Sequence, residues 1–137
     1  MKYSIAVPGK PVAFKRPRFN SRTKRVFNEG DYTIYKNNVR GHAARIVDQQ
    51  LKGSVHAEID IYVPIPASWS NKRKELARSG AERPTKKPDI DNFVKTCFDA
   101  CNKVFYDDDD QIVSVTARKH YADEPRIEIS FEEIDVP

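Results

Sequence analysis

The chain has 137 residues, of which 39% are hydrophobic and 32% charged, and its formal net charge is +4. This length and composition are typical of one globular domain with a single core, so we predict that residues 1–137 form one domain. No apolar run approaches the ~20 residues of a membrane span, the N-terminus lacks the apolar segment of a secretory signal, and two cysteines do not make a disulfide framework. We therefore expect no membrane association and a cytoplasmic location.

The first 27 residues predict a strand followed by an extended arm. KYSIAV at residues 2–7 alternates in polarity, as a strand does, and Pro8 stops it. Two prolines within residues 9–27, GKPVAFKRPRFNSRTKRVF, disfavour a helix there.

A helix and a strand come next. Asp31 is a candidate N-cap, and apolar side chains recur at helical spacing from Tyr32 to about Leu51, at Ile34, Tyr35, Val39, Ala43, Ile46 and Val47. Residues 55–65, VHAEIDIYVPI, alternate cleanly and predict a strand with one apolar face. SNKRKELARSG, residues 70–80, predicts a short charged helix or lid.

The most regular pattern begins at Ile90. Apolar residues recur at a spacing of ~3.6 over about four turns and predict a helix packed on a sheet, with the stripe Ile90, Val94, Cys97, Phe98, Cys101, Val104 and Phe105. Both cysteines lie on this stripe, so we expect core packing rather than metal or redox chemistry. Residues 111–121 and 125–134 then predict two strands joined by a turn. The order β-α-β-α-β-β predicts an α/β (α+β) fold, a mixed sheet packed by two main helices.

Charge is distributed unevenly along the chain. Residues 10–25 carry seven basic side chains and no acidic one, and residues 71–88 carry seven basic against two acidic. Residues 89–110 reverse this balance, with seven aspartates and two lysines. A basic surface attracts polyanions, usually nucleic acid, although a single basic patch serves solubility equally well. Two basic segments that bracket an acidic one favour nucleic acid as the partner.

Aspartates flank the predicted long helix at both ends. Asp89 and Asp91 lie at its start, where the helix dipole favours negative charge, so an N-cap and a first-turn acid explain them structurally. Lys95 lies on the same face one turn after Asp91 and reaches whatever these carboxylates hold. At the other end, a solvated turn explains the four aspartates 107–110 in part, and a bound cation explains their number better. Whether the next strand returns one of them to Asp89 and Asp91 stays open.

Aspartates beside basic residues suggest a hard cation, Mg²⁺ with Mn²⁺ as a substitute, and we expect no small-molecule cofactor. Such an ion activates water and offsets the charge on a phosphodiester during cleavage. We assign no role in the site to the scattered His42, His56 and His120. Trp69 lies in a polar loop, where it either stacks on a base or packs.

Residues 88–121, PDIDNFVKTCFDACNKVFYDDDDQIVSVTARKHY, resemble the RusA family of Holliday-junction resolvases, in particular its phage and Gram-positive branch. The family pattern D-x-D-N-x-x-K, F-D-A and D-D-x-Q is met by residues 89–95, 98–100 and 108–111. GKPVAFKRPRF is similar to the family's G-x-P-x-x-K-x-R-P-R-F, with Lys15 one position later. Residues 68–85, SWSNKRKELARSGAERPT, have no counterpart in the shorter members.

The resemblance implies a Mg²⁺-dependent endodeoxyribonuclease of DNA recombination and repair, a homodimer that resolves four-way DNA junctions by paired symmetrical nicks. It implies catalytic, metal-binding carboxylates at Asp89, Asp91 and Asp109, with Asp108 or Asp110 as alternatives for the third, and an essential Lys95. The side chains expected to contact DNA phosphates are Lys15, Arg16, Arg18, Lys86 and Lys87. Two other interpretations remain: a DNA-binding module without catalysis, and a nuclease for other branched DNA or RNA.

Overall fold

A computed structural model of the chain describes residues 1–16, 18–20, 25–27 and 30–134, and for 18–20 and 25–27 it describes the backbone only. These residues contain six strands: β1 (Lys2–Pro8), β2 (Arg18–Asn20), β3 (Arg25–Phe27), β4 (Val55–Pro64), β5 (Ile112–Ala122) and β6 (Arg126–Glu133). Three helices accompany them: α1 (Gly30–Ile46), α2 (Asn71–Ser79) and α3 (Ile90–Cys101). Within the described ranges, no helix has the length and apolarity that crossing a membrane requires.

The main sheet has four strands in the order β1-β6-β4-β5. β6 is antiparallel to both β1 and β4, whereas β4 and β5 are parallel. This confirms the predicted mixed sheet and the α+β class. β5 and β6 follow each other in sequence through the predicted turn, but β4 lies between them in the sheet. α1 and α3 pack against each other and, with the sheet, enclose one hydrophobic core.

The arm prediction is wrong in part, because β2 and β3 pair antiparallel to form a separate two-stranded sheet. The prolines that disfavour a helix do not prevent a short hairpin, since this hairpin lies beyond both of them in sequence. Residues 10–16 do run without regular structure, as expected of an arm.

α1 begins at Gly30 and ends at Ile46, earlier at both ends than predicted. Asp31 therefore lies in the first turn rather than at the N-cap position, and its carboxylate accepts a hydrogen bond from its neighbour's backbone N–H at 2.9 Å. The helix ends early because the hydroxyl of Tyr3 accepts hydrogen bonds from the backbone N–H groups of Asp48 and Gln49, at 3.0 and 3.1 Å. Ile34, counted in the predicted apolar stripe, is 73% exposed.

α3 is shorter than predicted, and its buried face is rotated. It ends at Cys101, and Lys103 adopts a left-handed φ of 65°, so Val104 and Phe105 follow the helix rather than belong to it. The buried residues are Phe93, Thr96, Cys97, Ala100 and Cys101. Apolar periodicity misses Thr96 because a polar residue is buried there, its hydroxyl 3.0 Å from the carbonyl oxygen of Val12 in the arm.

The two cysteines lie in the core, as predicted. Both side chains are completely buried. Burial raises the pKa of the Cys97 thiol well above its usual range and that of Cys101 to about 12. Since metal binding and thiol chemistry need the thiolate, neither cysteine is suited to those roles.

Two buried tyrosines give a test of this packing. Tyr3→Phe is expected to destabilise the protein by about 1–3 kcal/mol, because it leaves the N–H groups at residues 48 and 49 without their acceptor. Tyr35→Phe is the matched control: the Tyr35 hydroxyl is buried without a hydrogen-bond partner among the described residues, so its removal should be neutral or stabilising. Urea unfolding measures both changes, and equal losses of stability for the two variants would contradict this account.

Candidate functional site

A cleft of about 690 Å³ opens at the N-terminal end of α3. The arm, the end of β4, residues 84–88 and the start of α3 line it, together with two side chains of β5. Its charged side chains are those of Lys10, Lys15, Lys86, Lys87, Lys119, Asp31 and Asp89. The fold therefore brings both basic segments of the sequence to the same place, beside the first of the predicted catalytic aspartates.

The arm is fixed to the helices by three kinds of contact. The backbone N–H of Phe14 donates to the carbonyl of Asn92 in α3 at 2.9 Å. Lys15 forms an ion pair with Asp31 of α1, at 3.1 Å, and this hydrogen-bonded ammonium lowers the pKa of the Asp31 carboxyl. Together with the buried Thr96, these contacts hold the arm across the start of α3. Arg16 is exposed, and the side chain of Arg18 lies outside the described residues.

Lys119 of β5 holds the segment that leads into α3. Its ammonium group donates to the carbonyl oxygens of Lys86 and Pro88, each at 2.9 Å. Asp89 follows at the N-cap position, as predicted, but its carboxylate makes no capping hydrogen bond. Asp91 lies in the first turn of the helix. No sequence pattern indicated that Lys119 belongs to the site, because only the pairing of β5 with β4 brings it to this segment.

The carboxylates of Asp89 and Asp91 have no hydrogen bond or ion pair to any described part of the chain. The helix dipole stabilises both charges, yet their oxygens keep their full capacity to accept bonds from a ligand. A structural role as caps is therefore weaker than the sequence suggested.

Lys95 is held in place one turn further along α3. Its ammonium group lies 3.0 Å from the carboxylate of Asp99, whose second oxygen accepts a hydrogen bond from the Tyr32 hydroxyl at 2.9 Å. The ring of Phe14 lies beside the same ammonium, 5.4 Å from it. Asp91, Lys95 and Asp99 thus form a row on one face of α3, spaced by about 6 Å per step. Sequence reasoning missed Asp99 as a site residue, although its position four residues after Lys95 is the spacing of an ion pair.

The four aspartates 107–110 form a capped turn between α3 and β5. The Asp108 carboxylate accepts the N–H of Asp109 at 2.8 Å, and the side chain of Gln111 accepts the N–H of Asp107 at 2.8 Å. Asp107, Asp108 and Asp110 are exposed, whereas Asp109 is partly buried and one of its carboxylate oxygens has no hydrogen-bond partner. Asp109 is therefore the member of the run that turns inward.

The surroundings of Asp109 disfavour its charge. Burial raises the pKa of its carboxyl, and the nearby Asp99 carboxylate raises it further, while Lys95 acts in the opposite direction. The adjacent Tyr106 hydroxyl lowers the same pKa, although it donates its one proton to the carbonyl of Phe98 at 2.9 Å. The charges of Lys95 and Asp99 thus both act on the Asp109 carboxylate.

The described residues contain no group of three or more histidine, cysteine or acidic side chains close enough to hold a metal ion. Within one chain, Asp109 therefore does not join Asp89 and Asp91. The chemistry of the donors still fits Mg²⁺, since this ion usually takes one or two carboxylates and completes its shell with water and substrate phosphate. The unpartnered oxygens of Asp89 and Asp91 are such a pair.

Residues 68–85 contain the basic helix α2, which is fixed to the end of β5. The side chain of Ser70 caps α2, and the guanidinium of Arg73 stacks on Trp69 at 3.6 Å. Trp69 in turn packs edge-on against Tyr121, and Arg78 forms an ion pair with Asp123 at 2.8 Å. Trp69 therefore packs, which was one of its two predicted roles. In the described structure, the cations of this region without an ion-pair partner are Lys72, Lys74, Arg83, Lys86 and Lys87.

The histidines have partners outside this site. His120 pairs with Asp60 at 2.8 Å and stacks on Tyr62, on the sheet face opposite the helices. His56 bonds to Ser114, and His42 to a carbonyl of its own helix. None of the three lines the cleft at α3.

The unusual setting of Asp109 predicts a gain in stability when its charge is removed. Because its pKa is raised in the folded state, the ionised form is penalised above that pKa, and protonation at lower pH relieves the penalty. Asp109→Asn should therefore raise the thermal unfolding midpoint at pH 7 in metal-free buffer, with a smaller gain near pH 4. Asp110→Asn, at an exposed position, should change it little. A lower midpoint for Asp109→Asn would contradict this reasoning.

Comparisons with known proteins agree with the motifs and the fold. The sequence profile of a family described as "Endodeoxyribonuclease RusA" matches residues 8–132. A protein of Bacillus subtilis (strain 168) called YqaN, described as uncharacterized, is 37% identical over 138 aligned positions, which cover 95% of each chain. The profile spans the arm, the cleft, both groups of aspartates, β4, β5 and all but the last residue of β6. The chain therefore belongs to the RusA endodeoxyribonuclease family.

Proposed function

We propose that this chain is a structure-selective, Mg²⁺-dependent endodeoxyribonuclease that resolves four-way DNA junctions by paired nicks in recombination and repair. The observation that carries the proposal is the cleft at the start of α3, where five lysines surround Asp89 in a member of an endodeoxyribonuclease family. A polyanion that enters the cleft meets cations from the arm, from the segment before α3 and from β5. Asp89, whose carboxylate has no partner in the described structure, lines the cleft, and Asp91 follows it in the first turn of α3.

The basic side chains position the DNA backbone. Lys15, Lys86 and Lys87 neutralise phosphates near the branch point, and the exposed Arg16 extends this surface along the arm. We expect Arg18 to contact phosphate as well. Contacts to phosphate carry no sequence information, so recognition is mainly of branched shape.

Asp89 and Asp91 would hold Mg²⁺ with one carboxylate each, and Asp109, which does not join them within one chain, is the proposed third ligand through the second copy of the homodimer. The ion, when bound, activates a water molecule and offsets the negative charge that develops on the cleaved phosphodiester. Lys95 adds a positive charge on the same helix face and stabilises the phosphate oxygens during the reaction. Asp99 and Tyr32 are positioning residues, because they fix the Lys95 ammonium without reaching the cleft themselves.

A homodimer supplies the two cuts that junction resolution requires. One chain carries one cleft, at the start of its α3 helix. Junction resolution requires that two DNA strands are nicked at symmetry-related positions. A dimer with a two-fold axis places two equal sites with the symmetry of the junction.

Asp91→Asn is expected to abolish cleavage and to retain or tighten junction binding. Loss of a metal-binding carboxylate should lower the rate by at least about 1,000-fold, while removal of a negative charge next to phosphate favours binding. A synthetic four-way junction with Mg²⁺ measures cleavage, and gel shift in Ca²⁺ measures binding. Asp48→Asn, an exposed acid after α1, is the matched control and should behave as wild type.

Asp99→Asn tests the positioning of Lys95. It should lower the single-turnover cleavage rate by about 10- to 100-fold, because the ammonium loses its fixed place, and leave the junction Kd unchanged. Tyr32→Phe, which removes only the hydrogen bond to Asp99, should have a smaller effect in the same direction. A change in Kd with an unchanged rate would assign Asp99 to binding instead.

Two further measurements separate the alternatives. A DNA-binding module without catalysis would bind junctions with steep salt dependence and respond neither to Mg²⁺ nor to Asp91→Asn. A nuclease for other substrates would cleave flap DNA or structured RNA faster than four-way junctions in a side-by-side assay. Calorimetric titration of Mn²⁺ into wild type, Asp91→Asn and Asp109→Asn reports on the ligands without relying on activity.

A further inference from the structure

β5 is an edge strand with an exposed and apolar first half. Its eleven residues pair with β4 on one side, and no described residue pairs with its other side. Residues 112–117 read IVSVTA, which is uncharged and mostly β-branched. Val113 is 60% exposed and Val115 is 43% exposed. A long, uncharged edge of this kind is a template for another strand.

The opposite edge of the sheet differs in each of these respects. β1 has seven residues, carries Lys2 at one end and Pro8 at the other, and packs against α1. Charged residues and prolines at an edge are the usual protection against pairing. In β5 the charged residues come only after Ala117, and α2 is fixed near the C-terminal end of the strand through Tyr121. In the described structure the first half of β5 thus carries no charged side chain, no proline and no covering helix, and its pairing with β4 shifts by one residue at Val113.

The faces of β5 fit an antiparallel copy of the same strand. Val115 and Ala117 lie beside Ala57 and Ile59 of β4, so they share the face that α1 and α3 cover. In an antiparallel pair centred on Val115, the two Val115 side chains are opposite each other. The Val115 and Ala117 side chains of both copies then lie on the same face and extend the two cores towards each other.

The charges at the two ends of β5 determine the partner and its direction. The aspartates 107–110 precede the strand, whereas Lys119 lies near its other end and is bonded to the segment of Lys86 and Lys87. Antiparallel self-pairing brings the acidic end of each copy beside the basic end of the other. Parallel pairing would place like charges together, and a strand of different sequence would lack this match at both ends.

From this geometry we propose that β5 is the homodimer interface and pairs antiparallel with β5 of a second copy about a two-fold axis at Val115. The four-stranded sheets of the two copies become one continuous sheet. The inference rests on the homodimer of the proposed function and assigns it a surface. Raised salt should weaken the dimer, since the charge match at both ends contributes to it.

The double substitution Val113→Lys and Val115→Lys tests the interface. It places like charges opposite each other and should weaken the dimer by at least about 100-fold in Kd. Ile34→Lys, at an apolar residue of α1 that is 73% exposed, is the matched control and should leave the dimer intact. Sedimentation equilibrium distinguishes the monomer of 15.7 kDa from a species of twice that mass, and circular dichroism confirms that each variant is folded.

A disulfide cross-link tests the register without relying on a destabilising change. The thiol introduced by Val115→Cys should link two copies under mild oxidation, because its equivalents lie opposite each other at the two-fold axis. Ser4→Cys, on the other edge strand, should not link, and the native cysteines are completely buried. A wild-type monomer would overturn both the interface and the homodimer. A wild-type dimer that resists the lysine pair and fails to cross-link would overturn the interface and leave the homodimer of the proposed function standing.

Discussion

β4 and β5 run side by side in the same direction, so the chain has to travel back along the sheet between them. α3 makes this return, and its two ends therefore lie at opposite ends of β5. Asp89 and Asp91 start the helix beside Lys119, whereas the aspartates 107–110 follow it at the first residues of the strand. One parallel pairing thus separates two acidic groups that are close in sequence, and it gives the cleft its lysine from β5.

The fold divides the basic residues into those that hold the structure and those that stay free for a ligand. Arg73 and Arg78 are neutralised by carboxylates and fix α2, and Arg118 is bound to Asp60 on the far face of the sheet. In the described structure, four lysines without an acidic partner line the cleft: Lys10, Lys86, Lys87 and Lys119. A guanidinium makes the better fixed contact, because it binds a carboxylate through several donors at once, and a lysine adapts more easily to a moving phosphate backbone.

The strands of the main sheet were predictable because alternation over ten residues leaves few other structures, as in β4 and β5. The end of α1 and the buried face of α3 were not, since they depend on distant partners: Tyr3 for α1 and the arm for Thr96. The same limit applies to the site. Asp89, Asp91 and Lys95 were predicted as site residues from their spacing along one helix. Asp99 and Lys119 were not, because they contact Tyr32 and residues 86–88, which only the folded chain brings together.

The way α2 is fixed to the sheet also has a spectroscopic consequence. Trp69 is the one tryptophan of the chain, and its indole lies between the guanidinium of Arg73 and the ring of Tyr121. Its fluorescence therefore reports on the docking of α2 without any label and without interference from another indole. A shift of its emission on addition of DNA, followed in a stopped-flow instrument, would time the movement of this basic helix against the cleavage step.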